Sequence, residues 1–252
     1  MRVVGRAEAQ VPAAGPIRPK LYDEEVMTES NEIPEPPAIA WEVFPGEAMD
    51  RARVYAELLA GPGVERGLLG PREVPRIWDR HMLNCGVVAE VVPENTTLVD
   101  IGSGAGLPGV VLAIIRPDVR VTLLEPLLRR TVFLSEITEI LKLDNVEVLR
   151  GRAEELAYKR VFDVATARAV APLDRLVAWS LPLLREGGEL LAMKGERAAE
   201  EIENARRQLQ ASGARSVELV TVGEGKVEPP TTLVRVVAGR PPGNGKRRRR
   251  KR

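Results

Sequence analysis

Cysteine and histidine each occur once in 252 residues, as Cys85 and His81. A single thiol rules out a disulfide within the chain and suits a reducing compartment. One imidazole and one thiol are too few for a zinc site of nitrogen and sulfur ligands, so no metal is expected. Aromatic residues make up 4% of the chain, which argues against a surface built for extensive base stacking. No apolar run approaches the roughly 18 to 20 residues needed to cross a bilayer. The first residues also lack the apolar centre of a secretion signal. The expectation is a cytoplasmic protein with no membrane partner.

Net charge is also small, +1, but it is unevenly spread. The last seven residues, Lys246 to Arg252, are all basic; without them 30 Lys and Arg face 36 Asp and Glu, a balance of −6. A run of like charge stays solvated and often meets a polyanion, so this tail reads either as a nucleic-acid contact or as an aid to solubility alone. Residues 1–40 contain Pro12, Pro16, Pro19, Pro34, Pro36 and Pro37 with no sustained apolar period. That composition predicts disorder, as it does for residues 241–252.

Between these ends two patterns succeed each other. Over residues 41–95 apolar positions recur at three and four residues (Val54, Leu58 and Leu59, then Ile77, His81, Met82 and Cys85). They predict short helices broken around Gly61-Pro62-Gly63 and Gly70-Pro71. Over residues 96–240 strands alternate with helices. Strands are expected at 97–101, 120–125, 146–149, 162–166 and 188–193, and helices at 107–115, 128–143, 173–184 and 198–210. Two last strands, near 216–222 and 232–237, have no helix between them, so they pair antiparallel. Alternation of this kind builds a parallel sheet with helices on both faces.

The chemistry concentrates after the first strand, in Val99-Asp-Ile-Gly-Ser-Gly-Ala-Gly-Leu-Pro-Gly109. Four glycines in eight residues permit positive φ and close approach of a ligand to the backbone, at the strand end where such sheets bind ligands. Gly104-Ala-Gly106-Leu-Pro-Gly109 also fits the dinucleotide fingerprint, with Glu125 at the distance of a ribose contact. Asp100 weighs against a dinucleotide. Placed at the mouth of the turn, its carboxylate repels a pyrophosphate and favours the ammonium and sulfonium of S-adenosylmethionine. Glu125 then accepts from the two ribose hydroxyls.

Together with Leu124-Glu-Pro-Leu-Leu-Arg-Arg-Thr-Val-Phe-Leu134, Ile77-Trp-Asp-Arg-His-Met-Leu-Asn84, Thr166-Ala-Arg-Ala-Val170 and Ala192-Met-Lys-Gly195, this turn resembles the RsmG (GidB) family of 16S rRNA guanine-N7 methyltransferases over roughly residues 46 to 238. The resemblance implies a Rossmann-like α/β fold of the class I S-adenosylmethionine-dependent methyltransferases. That fold has a mostly parallel seven-stranded sheet with an antiparallel last strand, here preceded by a helical N-terminal part. It implies S-adenosylmethionine held by Asp100, Gly102, Ser103, Gly104, Gly106 and Leu107 at the turn, by Glu125, by Ala153 and Glu154 along the adenine, and by Arg168. Its partner is 16S rRNA, alone or in the small ribosomal subunit, met by a monomer.

Arg168 lies among Ala165, Thr166, Ala167, Ala169 and Val170, where an unpaired arginine is costly; it is a candidate for positioning the base. Lys194 either meets the base or a phosphate, or is a surface lysine at a strand end. The resemblance also makes Arg129 and Arg130 candidate RNA contacts. His81 is expected to anchor the helical part near the cleft, and Cys85 to fill the core. Guanine N7 carries a lone pair and no proton, so no general base is required and positioning supplies the catalysis. The turn by itself leaves two alternatives, a small-molecule methyltransferase and a nicotinamide-dependent oxidoreductase. A non-catalytic RNA-binding protein on the same fold is a third.

Overall fold

The computed structural model describes residues 33–240. Seven strands form one sheet: β1 (Thr97–Ile101), β2 (Arg120–Glu125), β3 (Val146–Arg150), β4 (Phe162–Arg168), β5 (Leu184–Lys194), β6 (Ala214–Val222) and β7 (Thr231–Ala238). Their order is β3-β2-β1-β4-β5-β7-β6. The first five run parallel; β7 runs antiparallel between β5 and β6. The order reverses beside β1 and β4, and the crevice of an open α/β sheet opens at such a point.

Among the described residues, eight α-helical segments surround the sheet: α1 (Ala40–Val43), α2 (Glu47–Leu58), α3 (Asn84–Gly86), α4 (Gly109–Ile115), α5 (Leu128–Ile140), α6 (Ala153–Leu156), α7 (Leu173–Ser180) and α8 (Ala198–Ala211). Side chains alternate across a strand, and the core divides accordingly. Leu98, Val121, Leu123 and Val164 face α4, α5 and the N-terminal helices. Val99, Leu124, Ala165 and Ala192 face α6, α7 and α8. No helix of the described residues is long and apolar enough to cross a membrane.

Several expectations shift. The segment expected to be disordered through residue 40 is ordered from Ile33, because Ile33 and Ile39 pack against the core and Ala40 is wholly buried in it; residues 1–32 and 241–252, basic tail included, lie outside the described residues. The first N-terminal helix does not break at Gly61-Pro62-Gly63 but widens there into a π turn, Leu59–Gly63. A wider turn accommodates a proline that would clash in a regular α-helix. The helix expected at 173–184 ends at Ser180; Pro182 sits in a 3-10 turn, and Leu184 already belongs to β5. On α5, Phe133 faces the core and Val132 faces outward. Val132 is 45% exposed, while Phe133 packs inward under the Arg66 guanidinium, 5.7 Å from its ring centre.

Candidate active site

The turn after β1 is pinned from three sides. Leu124 O accepts from Gly102 N–H at 2.8 Å and Ser103 N–H at 3.2 Å. Ser103 Oγ donates to Asp100 O at 2.8 Å. From the helical part, the buried Tyr55 hydroxyl of α2 donates to Ala105 O at 2.9 Å; burial pushes its phenol well above the ordinary value. Gly102, Gly104 and Gly106 hold φ of +68°, +59° and +105°, a region costly for side-chain-bearing residues. A Cβ on Gly106 would also come within 2.8 Å of the Tyr55 hydroxyl.

Above the turn lies a cavity of about 580 Å³. Glu125, at the end of β2, is its buried carboxylate, 1% exposed. Its Oε2 accepts from Gly104 N–H at 3.0 Å and its Oε1 from Leu127 N–H at 3.0 Å. Arg130 Nη1 lies 3.5 Å from Oε2, and Arg130 Nε is buried with no hydrogen-bond partner among the described residues. Leu68, Leu107, Leu127, Val170 and Trp179 add apolar wall, and Ala153 and Glu154 close the β3 side.

Arg168 closes the β4 side and is gripped by the N-terminal helices. Its Nη2 lies 2.8 Å from His81 Nδ1 and its Nη1 3.2 Å from Cys85 Sγ. His81 Nε2 lies 2.9 Å from Glu73 Oε2, and Glu73 Oε1 accepts from Arg80 at 3.1 Å. A guanidinium only donates, so Nδ1 accepts and the proton sits on Nε2, facing Glu73. Burial, and then the Arg168 charge, push His81 down to about 4, which agrees with this neutral tautomer. Burial also pushes the Cys85 thiol up. Ala169, next in the chain, takes a φ of +54°, a strained conformation for a residue with a Cβ.

The residues of this turn and strand end place the chain among known proteins. The description of the GidB family, rRNA small subunit methyltransferase G, matches residues 48–229. The chain belongs to that family. A relative from Thermobifida fusca named Ribosomal RNA small subunit methyltransferase G is 56% identical, over 86% of this chain and 98% of its own. One of the same name from Streptomyces coelicolor is 56% identical over 86% of this chain and 91% of its own. Among solved structures the fold is shared with a SAM-dependent O-methyltransferase from Thermotoga maritima. That likeness has a TM-score of 0.50 and 14% identity, over 62% of this chain and 65% of that one. It is shared also with TYW2 from M. jannaschii in complex with AdoMet, with a TM-score of 0.51 and 18% identity over 64% and 77%.

Of the residues singled out in the sequence, Gly102, Ser103, Gly104, Leu107, Glu125, Ala153, Glu154 and Arg168 all line the cavity, as does His81. Three do not. Asp100, expected at the mouth of the turn, is fully buried beneath it. Its Oδ2 accepts from Gly109 N–H at 3.1 Å and its Oδ1 from the Thr166 hydroxyl at 3.2 Å. Burial pushes it up to about 6. It braces the turn, so its charge no longer discriminates between ligands at the mouth. Gly106 packs under Tyr55 and Val110 instead of facing the cavity. Lys194 lines a second cavity and is no surface lysine, since its side chain is 11% exposed. Arg130, a candidate RNA contact, lines the cavity with its Nη1 toward Glu125. Tyr55, Glu73 and Trp179 were missed in sequence: Tyr55 meets Ala105 fifty residues on, and Glu73 reaches the site only through His81.

Proposed function

We propose that this protein transfers a methyl group from S-adenosylmethionine to N7 of a guanine in 16S ribosomal RNA. The observation that carries this reading is the buried carboxylate of Glu125 in the glycine-turn cavity of a chain from the rRNA small subunit methyltransferase G family. A carboxylate held by two backbone N–H groups in this cavity suits a pair of ribose hydroxyls. The leucine and valine walls suit an adenine. S-adenosylmethionine answers both, and when bound it supplies an electrophilic methyl group.

In this reading Gly102, Ser103, Gly104, Leu107, Glu125, Ala153 and Glu154 hold the cofactor, and Arg168, on the wall beside it, aligns the base. Asp100 and Gly106 act only by shaping the turn. Guanine N7 has a free lone pair, so the chain has no proton to remove. His81 is already committed, neutral, between Glu73 and Arg168, and serves to position the guanidinium. What the chain contributes is orientation, which converts an encounter into an aligned attack. The methyltransferase unit runs from residue 33 to 240, with a helical part to residue 95 and a sheet core after it. It works as a monomer in the cytoplasm on small-subunit rRNA.

The test is methyl transfer from labelled S-adenosylmethionine to free 16S rRNA, to small ribosomal subunits and to DNA, with mapping of the product base. Label at N7 of one guanine of 16S rRNA is expected, and none in DNA. Label on another base, or on no RNA at all, overturns the reading.

A further inference from the structure

Beside the cofactor cavity lies a larger one, of about 940 Å³. The two share Arg168, Ala169 and Val170 as a common wall. The second is bounded by the end of β5, the start of β7 and α8, and carries five Lys or Arg and five Asp or Glu. A cleft for phosphates would be of one sign. Balanced charge suits a neutral, polar ligand that both donates and accepts.

On its lining, Lys194 and Glu201 form a fixed pair. Lys194 Nζ donates to Glu201 Oε2 at 2.7 Å and to Ala171 O at 2.9 Å. Glu201 Oε2 also accepts from Leu173 N–H at 3.0 Å. The side chains are 11% and 30% exposed. An ammonium has three N–H donors, so one remains. Glu201 Oε1 has no hydrogen-bond partner among the described residues. The pair therefore keeps one donor next to one acceptor. Guanine presents the complement, O6 accepting next to N1–H donating. Adenine presents the reverse, with a donor at N6 and an acceptor at N1.

We propose that the second cavity receives the target guanine and that Lys194 and Glu201 read it. Lys194 donates to O6 and Glu201 Oε1 accepts from N1–H. N7 lies on the side of O6 away from N1, so this pairing leaves it free for the shared wall and the cofactor beyond. The inference rests on the guanine-N7 reading above and adds the residues that choose the base. The paired ends of β4 and β5, with Arg168 opposite Met193, supply the rigidity such a reading needs, and a site built to hydrogen-bond one base rejects another strongly, because mismatched groups are left unpaired.

The experiment compares wild type, Lys194→Met and Glu201→Gln on small ribosomal subunits carrying guanine or adenine at the mapped position. S-adenosylmethionine affinity is measured by calorimetry alongside. For Lys194→Met, kcat/KM on guanine subunits is expected to fall about 100-fold or more. Cofactor affinity should change by less than about threefold, since neither residue lines that cavity. For Glu201→Gln, whose amide can present a donor to adenine N1, the preference for guanine over adenine should fall at least about tenfold. If Lys194→Met does not fold, the base preference of Glu201→Gln carries the test alone. Wild-type kcat/KM in Lys194→Met overturns the proposal, as does an unaltered preference in Glu201→Gln. A rise in KM alone, with a flatter salt dependence, overturns it in favour of a phosphate contact. Wild-type protein that methylates no guanine in small subunits overturns the underlying reading as well, whatever the variants do.

Discussion

The sheet core and the N-terminal helices build the two sides of one site by different means. The core lines its cavity with the glycine turn, strand ends and one carboxylate, Glu125, fastened by Gly104 and Leu127. The helices contribute side chains at long range. Tyr55 reaches Ala105, and Glu73, through His81, reaches Arg168. Backbone sites are fixed by the fold itself and vary little with side-chain identity. Side-chain contacts across elements have to be maintained residue by residue. The division suggests that the core owns cofactor binding, while the helices hold the strand end that faces the substrate.

Arg168→Ala is the sharpest way to break that division. Methyl transfer to small subunits should fall about 100-fold or more, with S-adenosylmethionine affinity changed by less than about fivefold. Equal losses in both, by kinetics and calorimetry, would mean that Arg168 serves the cofactor as much as the base. A protein that has also largely unfolded by thermal melting would make it a structural residue.

Asp100→Asn probes the core alone. The unfolded carboxyl ionises near 3.8, while the folded one keeps its proton until about 6. Wild type therefore loses stability as pH rises from about 4 to 6, and the loss persists above that. The sum is on the order of 2 to 3 kcal/mol. The asparagine variant lacks that term, so the stability gap between the two proteins, from urea melts at pH 4 and pH 7, should move in the variant's favour with rising pH. A gap independent of pH would contradict a raised Asp100.

Tyr55→Phe removes one hydrogen bond from the helices to the turn and leaves Ala105 O unpaired. It should cost about 1 kcal/mol in stability and weaken S-adenosylmethionine binding only a few-fold; a larger drop in affinity would give the helices a share in the cofactor site. The smallest effect is expected from deleting residues 241–252. RNA affinity should weaken at low salt and its salt dependence should flatten, with the methylated base and cofactor affinity unchanged. Identical salt slopes would make the basic tail a bystander.

Much of the core was readable in advance because its signals are local. Apolar runs, ended by Gly102 after β1 and by Glu125-Pro126 after β2, marked those strands at their observed bounds, and the missing helix before β7 announced its antiparallel pairing. The misplacement of Asp100 was avoidable. Leu98 and Asp100 share one face of β1, and Leu98 packs in the cluster that contains α4, so strand alternation alone sends that carboxylate under the helix. Gly109 has the same cause, since a Cβ there would meet Asp100 Oδ2 at 2.7 Å. The helical part was less readable for a different reason. Glu73 and His81 are eight residues apart, and His81 and Arg168 are 87 apart. No periodicity links them, and only the tertiary fold brings them together. Lys194 remained ambiguous in sequence because its partner Glu201 lies on the next helix, across a turn whose geometry a pattern does not reveal.

The central claim, that the core holds S-adenosylmethionine on the buried carboxylate of Glu125, is tested most directly by calorimetry with S-adenosylmethionine and NAD on wild type and Glu125→Gln. Wild type should bind S-adenosylmethionine and not NAD. The variant should stay folded and bind S-adenosylmethionine roughly 10- to 100-fold more weakly, as expected for hydrogen bonds to a charged group. Tight NAD binding by wild type, or undiminished S-adenosylmethionine affinity in the variant, would contradict it.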